Sequence, residues 1–270
     1  TDSITSMILN PSEGKTFGNI SKIYNLARPD YPEELIDDIT KELKPNSKIL
    51  DVGCGTGQAT KILAKKGFQI TGTDLSEEMI TIAKTNCPNA NFLAGRFEDI
   101  DFNQNNQNNQ TEKFDLITSG MAWHWLDKNI AYKKAHDLLN PNNPNSKLAI
   151  FWSYQEKEKS EIIQKVGIVL DKYSAPNRGP AGSLVLESFG QTLTELKNKQ
   201  DLFNNITTKS YQSNLNFTKQ KYIDLVISYG WVQNLENDKQ SKLIQDLNNA
   251  IEPNEFTVPY KFILITAKKK

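Results

Sequence analysis

Strand-like apolar runs alternate with helical patterns between residues 48 and 152, and this alternation restricts the chain to few folds. The predicted strands cover 48–52, 68–73, 91–94, 114–119 and 147–152, and the predicted helices cover 58–66, 77–86 and 128–139. Two parallel strands must be joined by a crossover, which is usually a helix, so regular alternation produces a parallel sheet with helices on both faces. We therefore expect a doubly wound α/β fold.

The alternation stops after Trp152. Helices are predicted at 156–173, 188–197, 219–228 and 239–250, and strands at 206–215 and 258–267. The Gly- and Pro-rich stretch 174–183 is expected to be a loop or hinge, and the Asn-rich stretches 103–110 and 141–146 to be mobile surface loops. We expect 153–205 and 216–254 to lie over the ligand-binding edge of the sheet as a substrate cover.

Charge and cysteine content exclude several classes of protein. Lysine plus arginine and aspartate plus glutamate both number 32, so no overall positive field would attract nucleic acid or an anionic membrane. The two cysteines, Cys54 and Cys87, are too few for a disulfide framework and lack the spacing of a metal site. With no leader segment and no long apolar run, the sequence predicts a soluble cytoplasmic protein.

The sequence "ILDVGCGTGQ" at 49–58 carries the first predicted strand into three glycines: Gly53, Gly55 and Gly57. The first turn after a strand of such a sheet lies near the ligand crevice, and glycines let a ligand approach the backbone closely. Dinucleotide-binding loops have the spacing G-x-G-x-x-G, whereas here the third glycine comes one residue early, and the G-K-[ST] ending of a phosphate-binding P-loop is absent. The loop therefore favours a nucleoside ligand without phosphate.

Two acidic residues narrow the choice of ligand. Asp51 precedes Gly53 by two residues, where a carboxylate would repel a pyrophosphate but favour a cationic ligand. Asp74 ends the second strand 21 residues after Gly53, where it can accept hydrogen bonds from both ribose hydroxyls. S-adenosylmethionine has a positively charged ammonium and sulfonium, a ribose and no phosphate. Its charge therefore matches the prediction from Asp51, and its ribose matches the prediction from Asp74.

The chain resembles the class I S-adenosylmethionine-dependent methyltransferases over roughly residues 15–152. "ILDVGCGTGQ" is similar to their first motif, "TGTDLS" to the second, "GRFEDI" to the adenine-side segment and "FDLITSGMAWHW" to the fourth-strand segment. Within the superfamily, "YNLARPDYP" and "AWHW" look most like the methyltransferase type 11 branch that contains the trans-aconitate methyltransferases. The resemblance implies a Rossmann-like, mostly parallel seven-stranded sheet with an antiparallel last strand and a helical substrate cover.

The resemblance also implies a domain division and a set of cofactor-binding residues. Residues 1–152 would form N-terminal helices and the cofactor-binding core, 153–205 a helical cover insertion, and 206–270 the last strands with further cover helices, all in one folded unit. The implied contacts to S-adenosylmethionine are Tyr24, Arg28, Asp51, Gly53, Gly55, Gly57, Thr73, Asp74, Leu75, Met79, Phe97, Glu98, Ser119 and Met121. Arg28 would bind the methionine carboxylate, Asp74 the ribose, and Leu75 and Met79 the adenine.

Methyl transfer from a sulfonium is an in-line displacement that needs alignment and exclusion of water, and no metal. His124, in "MAWHWLD", is the candidate catalytic residue: it could act as a base for a hydroxyl acceptor, contact a carboxylate, or be structural. The predicted substrate-binding aromatic residues, which could instead be core residues, are Tyr31, Trp123, Trp125, Trp152 and Trp231.

We therefore expect an enzyme that methylates a small molecule, at a carboxylate or hydroxyl oxygen, and releases S-adenosylhomocysteine. The alternatives are a C-methyltransferase of a quinone-type precursor and a non-catalytic scaffold protein that binds the cofactor. Methylation of nucleic-acid bases is disfavoured because the N/D-P-P-Y/F tetrapeptide and a Pro-Cys nucleophile are missing. No nucleic-acid or membrane partner is expected, and the predicted state is a monomer or weak dimer.

Overall fold

The structure is a computed structural model, and it describes residues 29–102, 111–174 and 183–270. The predictions for Tyr24, Arg28 and the N-terminal helices before residue 29 lie outside the described residues. The same holds for the Asn-rich stretch 103–110 and for most of the Gly- and Pro-rich stretch, residues 175–182.

The described chain forms a seven-stranded sheet in the order β3-β2-β1-β4-β5-β7-β6. The strands are β1 (Lys48–Val52), β2 (Gln69–Asp74), β3 (Asn91–Ala94), β4 (Leu116–Gly120), β5 (Lys147–Gln155), β6 (Phe203–Thr218) and β7 (Glu255–Lys269). Strands β1 to β5 pair in parallel, and β7 is antiparallel to both β5 and β6. This confirms the predicted fold class.

Nine α-helices connect the strands in the described ranges. They are α1 (Glu33–Thr40), α2 (Gln58–Lys65), α3 (Glu77–Asn86), α4 (Lys128–Leu138), α5 (Glu161–Asp171), α6 (Ser183–Lys197), α7 (Lys219–Ile227), α8 (Gly230–Gln233) and α9 (Asn237–Ala250). Short 3-10 turns cover Trp123–Trp125 and Lys157–Lys159. None of the described helices is long and apolar enough to cross a membrane.

Two predicted helix starts were wrong by five residues: α6 begins at Ser183 rather than at residue 188, and α5 begins later than predicted. We expected a helix from residue 156, but β5 continues to Gln155, a 3-10 turn follows, and α5 begins only after Ser160. The Ser160 hydroxyl accepts a hydrogen bond from the Ile163 N–H at 3.4 Å and so caps the helix. The prediction failed because β5 is extended by pairing with β7, where Gln155 lies opposite Tyr260.

The two faces of the sheet bury separate cores. On one face, Ile49 and Phe151 pack with apolar residues of α1, α2, α5, α7 and α9. On the other face, Leu50 and Ile117 pack with residues of α4 and α6. Adjacent residues of β1 thus point to opposite cores, as strand geometry requires, and both faces of the parallel strands are covered.

The long pair β6 and β7 extends beyond the end of β5. Gln155, the last residue of β5, pairs with Tyr260, whereas Glu255 pairs only with Thr218 of β6. Helices α7 to α9 connect β6 to β7 at this extended end, and α9 packs on α5. The cover helices therefore lie at the carboxyl ends of the parallel strands, where an open α/β sheet binds its ligand.

Candidate functional site

The glycine loop turns β1 into α2 with a left-handed backbone. Gly53, Gly55 and Gly57 have φ angles of 68°, 55° and 85°, a region that other residues rarely adopt. The loop is also held from β2, because the Cys54 N–H donates to the Thr73 carbonyl at 2.9 Å. A Cβ at Gly55 would have no atom of the described residues within 4 Å, so the backbone is open on that side of the described structure.

Asp51 lies beneath this loop with only 1% of its surface exposed. Its carboxylate accepts hydrogen bonds from the hydroxyls of Thr60, at 2.7 Å, and Thr118, at 2.9 Å. Burial raises the pKa of Asp51 to about 6, helped by the charge of Asp74 and opposed by the two hydroxyls. Asp51 therefore ties β1 to α2 and β4, and it also contributes to the wall of the cleft described below.

Asp74 holds the other side of the loop. One carboxylate oxygen accepts the Gly55 N–H at 2.8 Å, and the other accepts the Ser76 N–H at 2.9 Å. Burial raises the pKa of Asp74, while these backbone donors act in the opposite direction. Asp74 thus fixes the position of Gly55, a role that the sequence did not indicate, and its predicted contact with a ribose stays a prediction.

A cleft of about 1340 Å³, open mouth included, lies between the glycine loop, the end of β4 and the cover helices. Of the predicted cofactor residues, those in its walls are Asp51, Gly53, Gly55 and Met121, and Tyr31 is the one predicted substrate residue among them. Tyr31 packs edge-on against Phe151 with ring centroids 4.7 Å apart. A Cβ at Gly120 would lie 2.5 Å from the Tyr31 hydroxyl, so the missing side chain there makes room for this tyrosine.

Several other predicted cofactor residues support the site from the interior. Thr73, Phe97 and Ser119 are at most 2% exposed, and the Ser119 hydroxyl donates to the Val52 carbonyl at 2.9 Å. Met79 is buried as well. The side chains of Thr73, Phe97 and Ser119 point into the protein, and the predicted contact of these three residues with the cofactor stays a prediction.

The remaining cofactor predictions fall around the ends of β1 to β3. Gly57 begins α2 and packs against α3, where its Cβ position lies 3.5 Å from Ala83. Glu98 accepts the Asp127 N–H at 2.6 Å. Leu75 is 57% exposed and stays a candidate for contact with the adenine.

Two of the predicted substrate-binding tryptophans belong to the core. Trp123 and Trp152 have no exposed surface. Trp123 packs with Tyr132 at a centroid distance of 5.3 Å, and Trp152 packs with Phe189 at 6.1 Å. The sheet and helices α4 and α6 enclose both side chains, so the structure favours the core alternative over a wall for the acceptor. Trp125 is exposed and Trp231 is half-buried, and both lie outside the cleft walls.

His124 is held by the core rather than presented to the cleft. Its Nδ1 accepts the indole N–H of Trp152 at 3.2 Å, and its ring lies against Trp125. Burial, with a smaller effect from the charge of Lys128, lowers the pKa of His124 to about 4. The neutral ring then carries its proton on Nε2 and has no lone pair free, so this arrangement opposes a role as base.

The cover contributes residues that the sequence did not single out. Gln155, Tyr222 and Tyr260 all contribute to the cleft walls, and they form one hydrogen-bonded group. The Tyr222 hydroxyl donates to the Gln155 Oε1 at 2.7 Å, and the Gln155 Nε2 donates to the Tyr260 hydroxyl at 2.8 Å. They come from β5, α7 and β7, so no local motif marks them.

Comparison with known proteins agrees with this architecture. Residues 49–142 match the family described as a methyltransferase domain. An "uncharacterized methyltransferase" of Schizosaccharomyces pombe is 28% identical over 245 residues, covering 88% of each chain.

Two solved structures share the fold. A "Putative Type II Methyltransferase" from Anaeromyxobacter dehalogenans matches 90% of this chain and 97% of its own, with a TM-score of 0.62 and 17% identity. A methyltransferase from Thiobacillus denitrificans in complex with S-adenosyl-L-homocysteine matches 94% of this chain and 98% of its own, with a TM-score of 0.51 and 14% identity. The methyltransferase-domain match across the glycine loop and β4, together with the methyltransferase relatives, supports a class I S-adenosylmethionine-dependent methyltransferase.

Proposed function

We propose that this protein binds S-adenosylmethionine across the glycine loop and transfers its methyl group to an oxygen of a small-molecule acceptor. The observation that carries the proposal is the open backbone at Gly55, which lies at the carboxyl edge of β1 and faces a cleft closed by the cover helices. The likeness in fold to the Thiobacillus denitrificans enzyme, which was solved with S-adenosyl-L-homocysteine, supports the same choice of ligand.

The residues of the loop fit this cofactor. Gly53 and Gly55 leave space for the methionine portion, and Asp51 adds a negative charge to the same wall. Asp74 fixes the loop and would face the ribose, and the contacts of Tyr24 and Arg28 stay predictions. When bound, the cofactor supplies a methyl group made electrophilic by a sulfonium.

The acceptor would be enclosed by the loop on one side and the cover on the other. Tyr31 and Met121 come from the core side, and Ile163, Leu225 and Tyr222 come from α5 and α7. Apolar walls of this kind exclude water and restrict the acceptor to one orientation, which is the main contribution an enzyme makes to an in-line displacement. An oxygen that is already deprotonated suits a site where His124 is not arranged as a base. The branch that contains the trans-aconitate methyltransferases stays a prediction.

A matched pair of glycine substitutions tests the proposal. Gly55 and Gly67 both have positive φ, and within the described part of the chain a Cβ at either would meet no atom within 4 Å. Alanine at either site should therefore cost about 1 kcal/mol of backbone strain. Gly55 contributes to the cleft wall and Gly67 does not. In calorimetric titrations with S-adenosylhomocysteine, we expect Gly55→Ala to weaken binding at least tenfold and Gly67→Ala to leave the affinity unchanged.

Two results would count against the proposal. Absence of binding to the wild-type protein at millimolar ligand would exclude the cofactor. If Gly55→Ala and Gly67→Ala had equal affinity for S-adenosylhomocysteine, the ligand would not bind at the glycine loop. Transfer of a labelled methyl group to pooled small carboxylic acids, phenols and quinol precursors then tests the acceptor, and label found only on carbon would contradict methylation of oxygen.

A further inference from the structure

Lys157 is a charged residue on the cover side of the cleft. The cover side consists of the walls formed by residues after Trp152. It is the first residue of the 3-10 turn that follows β5, and it is half-buried. Among the described residues of the walls, only Asp51 and Lys157 carry a formal charge. Lys157 therefore supplies the single positive charge of the cleft within the described part of the chain.

The side chain of Lys157 enters the cleft because α5 has a glycine at the crossing point. A Cβ at Gly167 would lie 2.6 Å from Lys157 Cε and closer still to Nζ. Real Cβ atoms do not approach other atoms so closely, so any other residue at 167 would displace the end of the lysine. Gly167 lies in the middle of α5, where glycine lowers helix stability. The space that it leaves for Lys157 gives a packing reason for a glycine at this position.

The charge of Lys157 is not used within the described chain. Two acids flank Lys157 in sequence: Glu156 accepts from Lys159 Nζ at 2.9 Å and from Gln212 Nε2 at 3.3 Å, and Glu158 is exposed. The Lys157 carbonyl accepts the Ser160 N–H at 3.2 Å, but its ammonium makes no hydrogen bond or ion pair with another residue of the described ranges. A half-buried ammonium without a partner loses hydration without compensation, and an anionic ligand would supply that compensation.

The surroundings of Lys157 restrict the kind of anion. Gln155, two residues before Lys157, also lines the cleft, and its amide is oriented by Tyr222 and Tyr260. Helix α5, against which Lys157 packs, adds the apolar residues Ile163, Val166 and Leu170 to the walls. One cation with apolar walls suits a ligand that has a carbon skeleton and a single carboxylate, whereas a phosphate dianion would call for more donors.

We propose that Lys157 binds a carboxylate of the methyl acceptor, so that the acceptor is a small carboxylic acid and Lys157 determines specificity. The proposal rests on the proposed function, since it assigns the acceptor of that same cleft. Gly167 is then a specificity element as well, because its missing side chain gives Lys157 its place.

The experiment measures binding of defined probes to the protein saturated with S-adenosylhomocysteine. Titration calorimetry at constant ionic strength compares benzoate, phenylacetate and hexanoate with their amides, and with phenyl phosphate. Four proteins are compared: wild type, Lys157→Met, Gly167→Ala and Lys165→Met. The last is the matched control, because Lys165 is an exposed lysine of α5 that pairs with Glu252 outside the cleft.

We expect at least one carboxylate to bind the wild-type protein and its amide to bind at least tenfold more weakly. Lys157→Met and Gly167→Ala should each weaken carboxylate binding tenfold or more, and Lys165→Met should change it less than twofold. The affinity for S-adenosylhomocysteine should be the same in all four, which also shows that the variants are folded.

Other results would overturn the proposal. These are carboxylate affinity retained in Lys157→Met, equal binding of acid and amide, tighter binding of phenyl phosphate, or no binding of any probe. Loss of S-adenosylhomocysteine binding in the wild-type protein is a different failure, because it removes the proposed function itself.

Discussion

At the scale of single residues, burial decides what His124 can do. Its Nδ1 is occupied by the indole of Trp152, and its pKa is lowered to about 4, so the ring is neutral at pH 7 and is a weak base. The nearby Asp51 shows the opposite effect, because burial raises the pKa of a carboxyl group. Both residues hold the ligand edge together by hydrogen bonds to buried groups. We therefore expect His124 to act by positioning Trp152 and the turn after β4.

The lowered pKa of His124 makes stability depend on pH. Between its ordinary pKa of 6.5 and about 4, the unfolded chain binds a proton that the folded protein does not. Stability is therefore present above this window and lost as the pH falls through it, by a total of about 3 kcal/mol. His124→Gln keeps an acceptor for Trp152 but cannot titrate, so the variant should lose less stability than the wild type between pH 7 and pH 4.

Urea unfolding of both proteins across this range measures the difference. The difference between the two curves is required because Asp51, with a pKa raised to about 6, contributes with the opposite sign in an overlapping window. Parallel curves would show that His124 is not buried as described. A large loss of methyl transfer in His124→Gln at pH 7, with the affinity for S-adenosylhomocysteine unchanged, would restore the role of base.

At the scale of secondary-structure elements, α5 must both form a stable helix in the core and leave space for the Lys157 side chain, and these two requirements conflict. Its apolar residues Ile163 and Val166 pack into the core and also form cleft wall, whereas Gly167 weakens the helix to accommodate Lys157. The atom that a new Cβ would meet first belongs to the end of a flexible side chain, which can move. The helix itself should therefore accept alanine.

We expect Gly167→Ala to raise the free energy of unfolding by roughly 0.5–1 kcal/mol, the usual advantage of alanine over glycine inside a helix. Chemical denaturation of wild type and variant measures this gain. Because Gly167→Ala should also lose carboxylate binding, as proposed above, the variant should be more stable but less specific than the wild type. A destabilised variant would mean that Lys157 cannot move and that the backbone of α5 has to shift instead.

Most of the elements, but less of the site, could be predicted from the sequence. Strand β1 is buried at four of its five positions and therefore reads as a short apolar run, and both β1 and β3 were predicted with the observed bounds. The end of β5 was missed because polar Tyr154 and Gln155 are held there by pairing with Lys261 and Tyr260 of β7. A pairing across more than a hundred residues leaves no local pattern.

The candidate site also has a part that the sequence predicts and a part that it does not. The glycine loop lies within one short segment, and its spacing was sufficient to indicate the ligand. Lys157, Gly167 and Tyr222 meet only after the cover has folded, and none belongs to a motif. For Trp123 and Trp152 the sequence left both a cleft and a core position open, because an aromatic residue near the ligand edge can point either way, and the packing of α4 and α6 decides the direction.

At the scale of the whole molecule, the cleft is formed by parts of the chain that are far apart in sequence. Its walls include residues from 51–59 of the core, from 153–170 between the end of β5 and α5, and from 222–260 between α7 and β7. Such a cleft exists only when the sheet and the cover are both in place. Binding in the cleft should therefore stabilise the complete fold rather than one segment.

S-adenosylhomocysteine at 100 times its dissociation constant should stabilise the protein by about 2.7 kcal/mol. For a chain of this size, that corresponds to an increase in Tm of roughly 5–10 °C. Thermal unfolding followed by circular dichroism measures it, and the increase should be retained in Lys157→Met. Two separate transitions, of which the ligand shifts only one, would show that core and cover unfold independently.

The extension of β6 and β7 beyond β5 bears on how proteins of this kind diversify. At its tip, Phe217 pairs with Phe256 and Thr218 with Glu255, and the 36 residues between Thr218 and Glu255 begin and end on neighbouring strands. Insertions or exchanges in that stretch leave the register of β1 to β5 untouched, because both ends are anchored on the antiparallel side. The segment 219–254, which helps to enclose the acceptor, can therefore change in evolution while the glycine loop that binds the methyl donor stays the same.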